Sequence, residues 1–109
     1  MIVKGRLSPL DKKEKKKLLN CIRECVNEDV FNKFLLLMNF SKNEKVTLQM
    51  IHKQFLYQEI ADEIGYSYRQ VQRIIDKILN KIIKIIKELE KQTDDIKEIF
   101  KIIFLENIL

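Results

Sequence analysis

The chain has 109 residues, enough for one domain with a helical extension, and 46% of them are hydrophobic, which argues against wholesale disorder. Two glycines (Gly5, Gly65) and one proline (Pro9) leave few breakers, so long helices are predicted and hairpin-rich β folds are excluded. The net charge of +5 suits nucleic acid, an acidic protein or an anionic membrane surface without choosing among them.

Met1 to Leu7 carries no strong pattern and reads as a loose arm or short strand. Ser8-Pro9-Leu10-Asp11 is a helix start: Ser8 can cap, Pro9 suits the first helical position, and Asp11 faces the N-terminal dipole favourably. The helix it opens is predicted from about Pro9 to Val26. Its apolar stripe is Leu18, Leu19, Ile22, Cys25 and Val26, and the basic run Lys12 to Lys17 reads as a solvated face, with phosphate contact as the alternative. A second helix follows Asn27-Glu28-Asp29 and carries Val30, Phe31, Phe34, Leu35, Leu37 and Met38. Ser41 with Glu44 three residues later is a capping box, opening a third helix over about Lys42 to Lys53 that buries Val46, Met50 and Ile51. Two further helices follow, the second very long. Thr93-Asp94-Asp95 then starts a last amphipathic helix carrying Ile96, Ile99, Phe100, Ile103 and Phe104.

The window Tyr57 to Asp76 has the residues that a helix-turn-helix requires. The first helix needs a small residue where the second crosses it, and Ala61 is there. Gly65, four residues later, tolerates a left-handed backbone at the turn, and Ser67 can cap the second helix. Ile60 and Ile64 face Val71 and Ile74 across the pair. The outward residues of the second helix are Tyr68, Arg69, Gln70, Gln72, Arg73 and Lys77. Arg can take guanine bidentately, and Gln adenine, in a major groove. A plain surface helix in this chain shows Lys and Glu instead, as Lys84 to Lys91 does.

From about Glu44 to Ile82 the sequence resembles the promoter-reading C-terminal domain, region four, of the sigma-70 family of transcription initiation factors, and the small phage and mobile-element regulators built on it. The similarity is carried by Phe55 to Ala61, by the turn and helix start Gly65 to Val71, and by the closing Lys77 to Ile82. It departs at Gln54, where many members have glycine, at Ile75, where many are polar, and at Asn80, where a basic residue is usual. The resemblance implies a recognition helix in the major groove of double-stranded DNA. It also implies that Arg69, Gln70, Gln72 and Arg73 read bases while Ser67, Tyr68, Lys77 and Lys81 hold phosphates. A chain of 109 residues has no room for the polymerase-binding and promoter-melting regions of a complete sigma factor, so a regulator using the same module is the expectation.

The expected fold class is therefore all-α, a helical bundle in three segments. Residues 1–41 form an N-terminal helical segment, 42–92 the sigma-like helix-turn-helix with its extended recognition helix, and 93–109 a C-terminal amphipathic helix. Val71, Ile75, Ile78, Ile82, Ile85 and Leu89 have heptad spacing. With Ile96, Ile99, Phe100, Ile103 and Phe104 they are expected to build a homodimer, which would set two recognition helices on half-sites about 34 Å apart or a multiple of that. Intramolecular packing and docking on another protein such as RNA polymerase are the alternatives, and the second gives a rival function, a sigma-like protein-interaction module. No catalytic residue is expected, since no nucleophile has a base nearby and no glycine-rich phosphate loop exists. Cys21 and Cys25 cannot complete a tetrahedral zinc site without further ligands, so neither metal nor cofactor is expected, and His52 reads as a surface or phosphate contact. No segment offers about 18 consecutive apolar residues and none resembles a signal peptide, so the expectation is a cytoplasmic protein without a membrane partner.

Overall fold

Local sequence signals fix most of the helix ends in the computed structural model, which describes residues 12–105. Ser8, Pro9 and the arm before them lie outside the described residues, as do the last four residues of the chain. The described elements are α1 (Lys12–Arg23), α2 (Glu28–Leu37), α3 (Lys42–His52), α4 (Tyr57–Ile64), α5 (Tyr68–Lys87) and α6 (Asp94–Phe100). A single 3-10 turn, Leu89–Lys91, follows α5, and α6 runs on through wider π-type turns over Lys101–Leu105. The fold is an all-α helical bundle, with no strand among the described residues.

Several helix starts are capped by a side chain that meets an orphan backbone N–H. Asn27 accepts from Val30 N–H at 3.2 Å, Ser41 from Glu44 N–H at 3.2 Å, and Thr93 from Ile96 N–H at 3.4 Å. The Glu44 carboxylate accepts in return from Ser41 N–H at 2.8 Å, completing the capping box. The first helix ends sooner than its apolar pattern suggests. It stops at Arg23, and Val26, placed on its stripe by sequence, is 95% exposed in the connection to α2. In α3 the buried phase is also shifted: Thr47, Leu48 and Ile51 are buried, whereas Val46 and Met50 are only half-buried.

One hydrophobic cluster draws on all three sequence segments, from Leu18 and Phe34 through Leu48 and Ile78 to Phe104. Phe34 of α2 stands at its aromatic centre, with ring centroids 5.7 Å from Phe40, 5.8 Å from Phe100 and 5.6 Å from Phe104. The C-terminal segment reaches this position because α6 packs on α2 and the π-type turns pack on α1. This corrects the assignment of Ile99, Phe100, Ile103 and Phe104 to a dimer or partner surface. All four are buried in the chain's own core, and Ile96 is half-buried against it. The heptad face of α5 is likewise used internally, with Val71, Ile75, Ile78 and Ile82 all buried. An amphipathic face states that it will be covered, not by which surface, and here intramolecular packing covers it.

α5 packs on α3 and α4, and α3 packs on α1. The recognition-helix candidate is thus held along one face while its other face points away from the core. No helix among the described residues is long and apolar enough to cross a membrane.

Candidate nucleic-acid interface

The turn between α4 and α5 is set by three consecutive residues. Gly65 ends α4 with φ of +75°, in the left-handed region that suits glycine. That geometry lets Tyr66 N–H reach back to the Ala61 carbonyl at 2.9 Å, the long bond of a Schellman-type close. Ser67 then caps α5: its hydroxyl accepts from Gln70 N–H at 3.1 Å, and Gln70 Oε1 accepts from Ser67 N–H at 2.8 Å. Asn43 of α3 donates to the Tyr66 hydroxyl at 2.8 Å and ties the turn to the bundle. Beneath it Ile60, Ala61 and Val71 are fully buried. Ala61 and Val71 are thus buried where α4 and α5 pack together, whereas Ile64 and Ile74, expected to face each other across the pair, are half-buried.

On the outer side, Arg69, Gln70, Gln72, Arg73 and Lys77 are all exposed, as are Ser67 and Tyr68. Arg69, Arg73 and Lys77 are spaced by four and form one cationic line along the helix. Tyr68, Gln72 and Asp76 form the adjacent line. The Tyr68 ring lies 5.9 Å from that of Tyr57 at the start of α4. Seven of the eight residues assigned to base or phosphate contacts thus share one accessible surface. The capping box qualifies two of them. Gln70 has its Oε1 engaged, so a bidentate grip on adenine would break the cap. Ser67 has an engaged lone pair, but its O–H proton is available to an acceptor.

Lys81, the eighth, is exposed as well, but its ammonium already has a partner within the chain. Its ammonium lies 2.7 Å from Glu44 Oε1 and 5.6 Å from the centroid of the Phe40 ring. Glu44 is 5% exposed, and burial alone pushes its carboxyl up. The Lys81 hydrogen bond, the Ser41 backbone N–H and the Lys81 charge outweigh that burial and hold it below the ordinary glutamate value. Lys81 therefore clamps α5 to the start of α3, a task that sequence proximity gives no hint of. His52 likewise has partners within the chain. Its ring stacks on Phe31 at 4.0 Å, and Nε2 is 2.6 Å from the Cys25 carbonyl. A carbonyl only accepts, so Nε2 carries the proton, and His52 is a strut between α3 and the α1–α2 connection. Cys21 and Cys25 are buried free thiols, both pushed up by burial. Among the described residues no cluster of His, Cys, Asp or Glu has a metal-binding arrangement.

Compared with known proteins, the chain matches no family model, no curated protein and no solved structure. The site is therefore interpreted from its own chemistry.

Sequence reasoning sets the basic run of α1 aside as a solvated face, and the structure brings part of it to the exposed side of α5. Lys12, Lys15, Lys16 and Arg23 border a cleft of about 440 Å³ whose other wall includes Gln72 and Asp76. Lys15 is 2.8 Å from Asp76 Oδ1. The recoverable signal was the spacing of Lys12, Lys16 and Arg23, which puts them on one stripe of α1 with Leu19. A second opening beside it is bordered by Arg23, Tyr68 and the connection between α3 and α4, where Leu56 is 70% exposed and Phe55 39%.

Proposed function

We propose that the protein is a sequence-specific DNA-binding transcription regulator, with α4, the Gly65–Ser67 turn and α5 acting as a sigma region four-like helix-turn-helix. The observation that carries the reading is the two-faced build of α5. Val71, Ile75, Ile78, Leu79 and Ile82 anchor one side, while Arg69, Gln72, Arg73 and Lys77 stand free on the other. A helix so anchored presents its base-reading side chains from a backbone that is already ordered, so binding costs only their own rotamer freedom. Arg69, Gln72 and Arg73 are the base readers in this account. Tyr68, Lys77 and the Ser67 hydroxyl serve phosphates, and Gln70 keeps its place in the cap.

Titration on genomic fragments in moderate salt tests the reading. At least one fragment should outcompete random DNA by well over about tenfold, because specific sites exceed non-specific binding by orders of magnitude. If every fragment binds like random DNA, the regulator reading fails. Arg73→Ala should cost roughly 1–3 kcal/mol on the preferred fragment and leave the helical spectrum unchanged.

A docking role on RNA polymerase or another protein is supported by a different surface from the C-terminal helices. Phe55 and Leu56 are exposed together beside Arg23, whereas the C-terminal phenylalanines are buried. A stoichiometric polymerase complex that forms without DNA and is lost in Leu56→Asp would favour that reading.

A further inference from the structure

α1 supplies a stripe of cations that no part of the core uses. Lys12, Lys16 and Arg23 recur on one face of the helix, and all three border the cleft shared with Gln72 and Asp76 of α5. Among the described residues, the ion pairs are Lys15–Asp76 and Lys81–Glu44, so none of these three has a carboxylate within pairing distance. The cleft floor is apolar, with Leu19 and Leu79 buried and Ile75 beside them. Its rim is therefore cationic on the α1 side and polar on the α5 side.

We propose that α1 is a second DNA-contacting element, and that Lys12, Lys16 and Arg23 grip the phosphate strand bordering the groove entered by α5. This rests on the reading of α5 as a recognition helix and extends the same interface. At a rise of about 1.5 Å per residue the stripe is roughly 16 Å long. A duplex strand offers one phosphate about every 3.4 Å of axis, so several phosphates lie within reach of three long side chains. The stripe's position also fits. Gln72 lies on the α5 line next to Arg69 and Arg73, and Asp76, one turn on, already meets Lys15. A helix beside the recognition helix is where a groove's bounding backbone passes. An acidic protein would satisfy the cations equally, but it would not account for their continuity with the Arg and Gln face of α5.

The test measures binding of a random-sequence duplex from about 50 to 200 mM salt, where each lost phosphate contact flattens the log–log slope by roughly 0.9. The triple variant Lys12→Gln, Lys16→Gln, Arg23→Gln is compared with a control of equal charge loss, Lys33→Gln, Lys87→Gln, Lys91→Gln, at exposed positions away from the cleft. Circular dichroism checks that both retain the wild-type helix content, and single variants replace any triple that does not. The expected result is a slope flatter by roughly 2 to 3 for the cleft variant and near wild type for the control. Equal slopes for the cleft variant and wild type overturn the role of α1 while leaving α5 intact. A wild-type chain that binds no duplex even at low salt overturns the α5 reading, and this inference with it. An acidic peptide that binds wild type tightly, in place of any DNA, assigns the stripe to a protein partner and overturns the proposal.

Discussion

Lys81 Nζ and Glu44 Oε1 are 2.7 Å apart although 37 residues separate them in the chain. The same carboxylate oxygen accepts from Ser41 N–H at 2.8 Å, so one atom both closes the cap of α3 and anchors α5. The exposed arginines of α5 are thus positioned partly by an ion pair further along the same helix, four residues beyond Lys77.

That pairing predicts a pH dependence. Glu44 titrates below its ordinary value in the folded chain, so its contribution is complete above the unfolded value of about 4.3 and fades as pH falls through the lower folded value. Thermal unfolding followed downward from neutral pH should show this as a loss of stability on the acid limb. Glu44→Gln should lose stability at neutral pH, by roughly 1–2 kcal/mol because Lys81 is partly exposed and screened, and should flatten the acid limb. A variant with the same acid limb as wild type would remove Glu44 from the account.

The connection between α3 and α4 holds a correctable strain. Gln54 has φ of +70°, and Phe55 N–H closes the helix on the Met50 carbonyl at 3.0 Å. This is the position at which the resemblance to sigma region four leads one to expect glycine. A side chain there costs about 1–2 kcal/mol of left-handed backbone, partly offset by the greater freedom of glycine in the unfolded chain. Gln54→Gly should therefore raise the urea midpoint by an amount equivalent to roughly 0.5–1 kcal/mol with an unchanged m-value. A lower midpoint would show that the glutamine side chain contributes more than the backbone loses.

Local features were the legible ones. The caps at Ser41, Ser67 and Thr93 and the turn at Gly65 each depend on residues within a few positions, and all are where the sequence put them. The phase of α3 was not legible, because Val46, Leu48 and Met50 alternate and leave no single helical stripe, so packing chose Leu48 with Thr47 and Ile51. Two polar residues have structural partners that the sequence did not disclose, for one physical reason. Lys81 and His52 have partners, Glu44 and Cys25, that lie distant in sequence, and exposed-looking polar side chains carry no mark of such contacts. The fate of the C-terminal face was hidden too, since Phe100 and Phe104 pair with Phe34 from the other end of the chain.

That pairing makes the C-terminal segment a core element, and truncating it should act on folding. Phe104 is fully buried against Phe34 and Phe100. Phe104→Ala should cost about 3–5 kcal/mol, a large share of the stability of a small domain. Chemical denaturation at two protein concentrations checks this, and the loss should be the same at both. A variant that keeps its stability yet changes its assembly state would return Phe104 to an interface.

The last prediction concerns Asp76, the one carboxylate among the described residues that line the cleft between α1 and α5. Its pairing with Lys15 at 2.8 Å is half-exposed, so it adds little to folding, about 0–1 kcal/mol. Toward a phosphate strand it acts in two unfavourable ways, repelling the backbone directly and occupying Lys15. Asp76→Asn removes both effects with almost no change in shape. Under the proposed mode it should tighten binding to random duplex several-fold and steepen the salt slope by up to about one contact, as Lys15 becomes available. Thermal stability should move by less than about 1 kcal/mol. Unchanged affinity and slope, with the fold intact, would mean that phosphates do not pass near this cleft, and the placement of DNA along α1 would have to be abandoned.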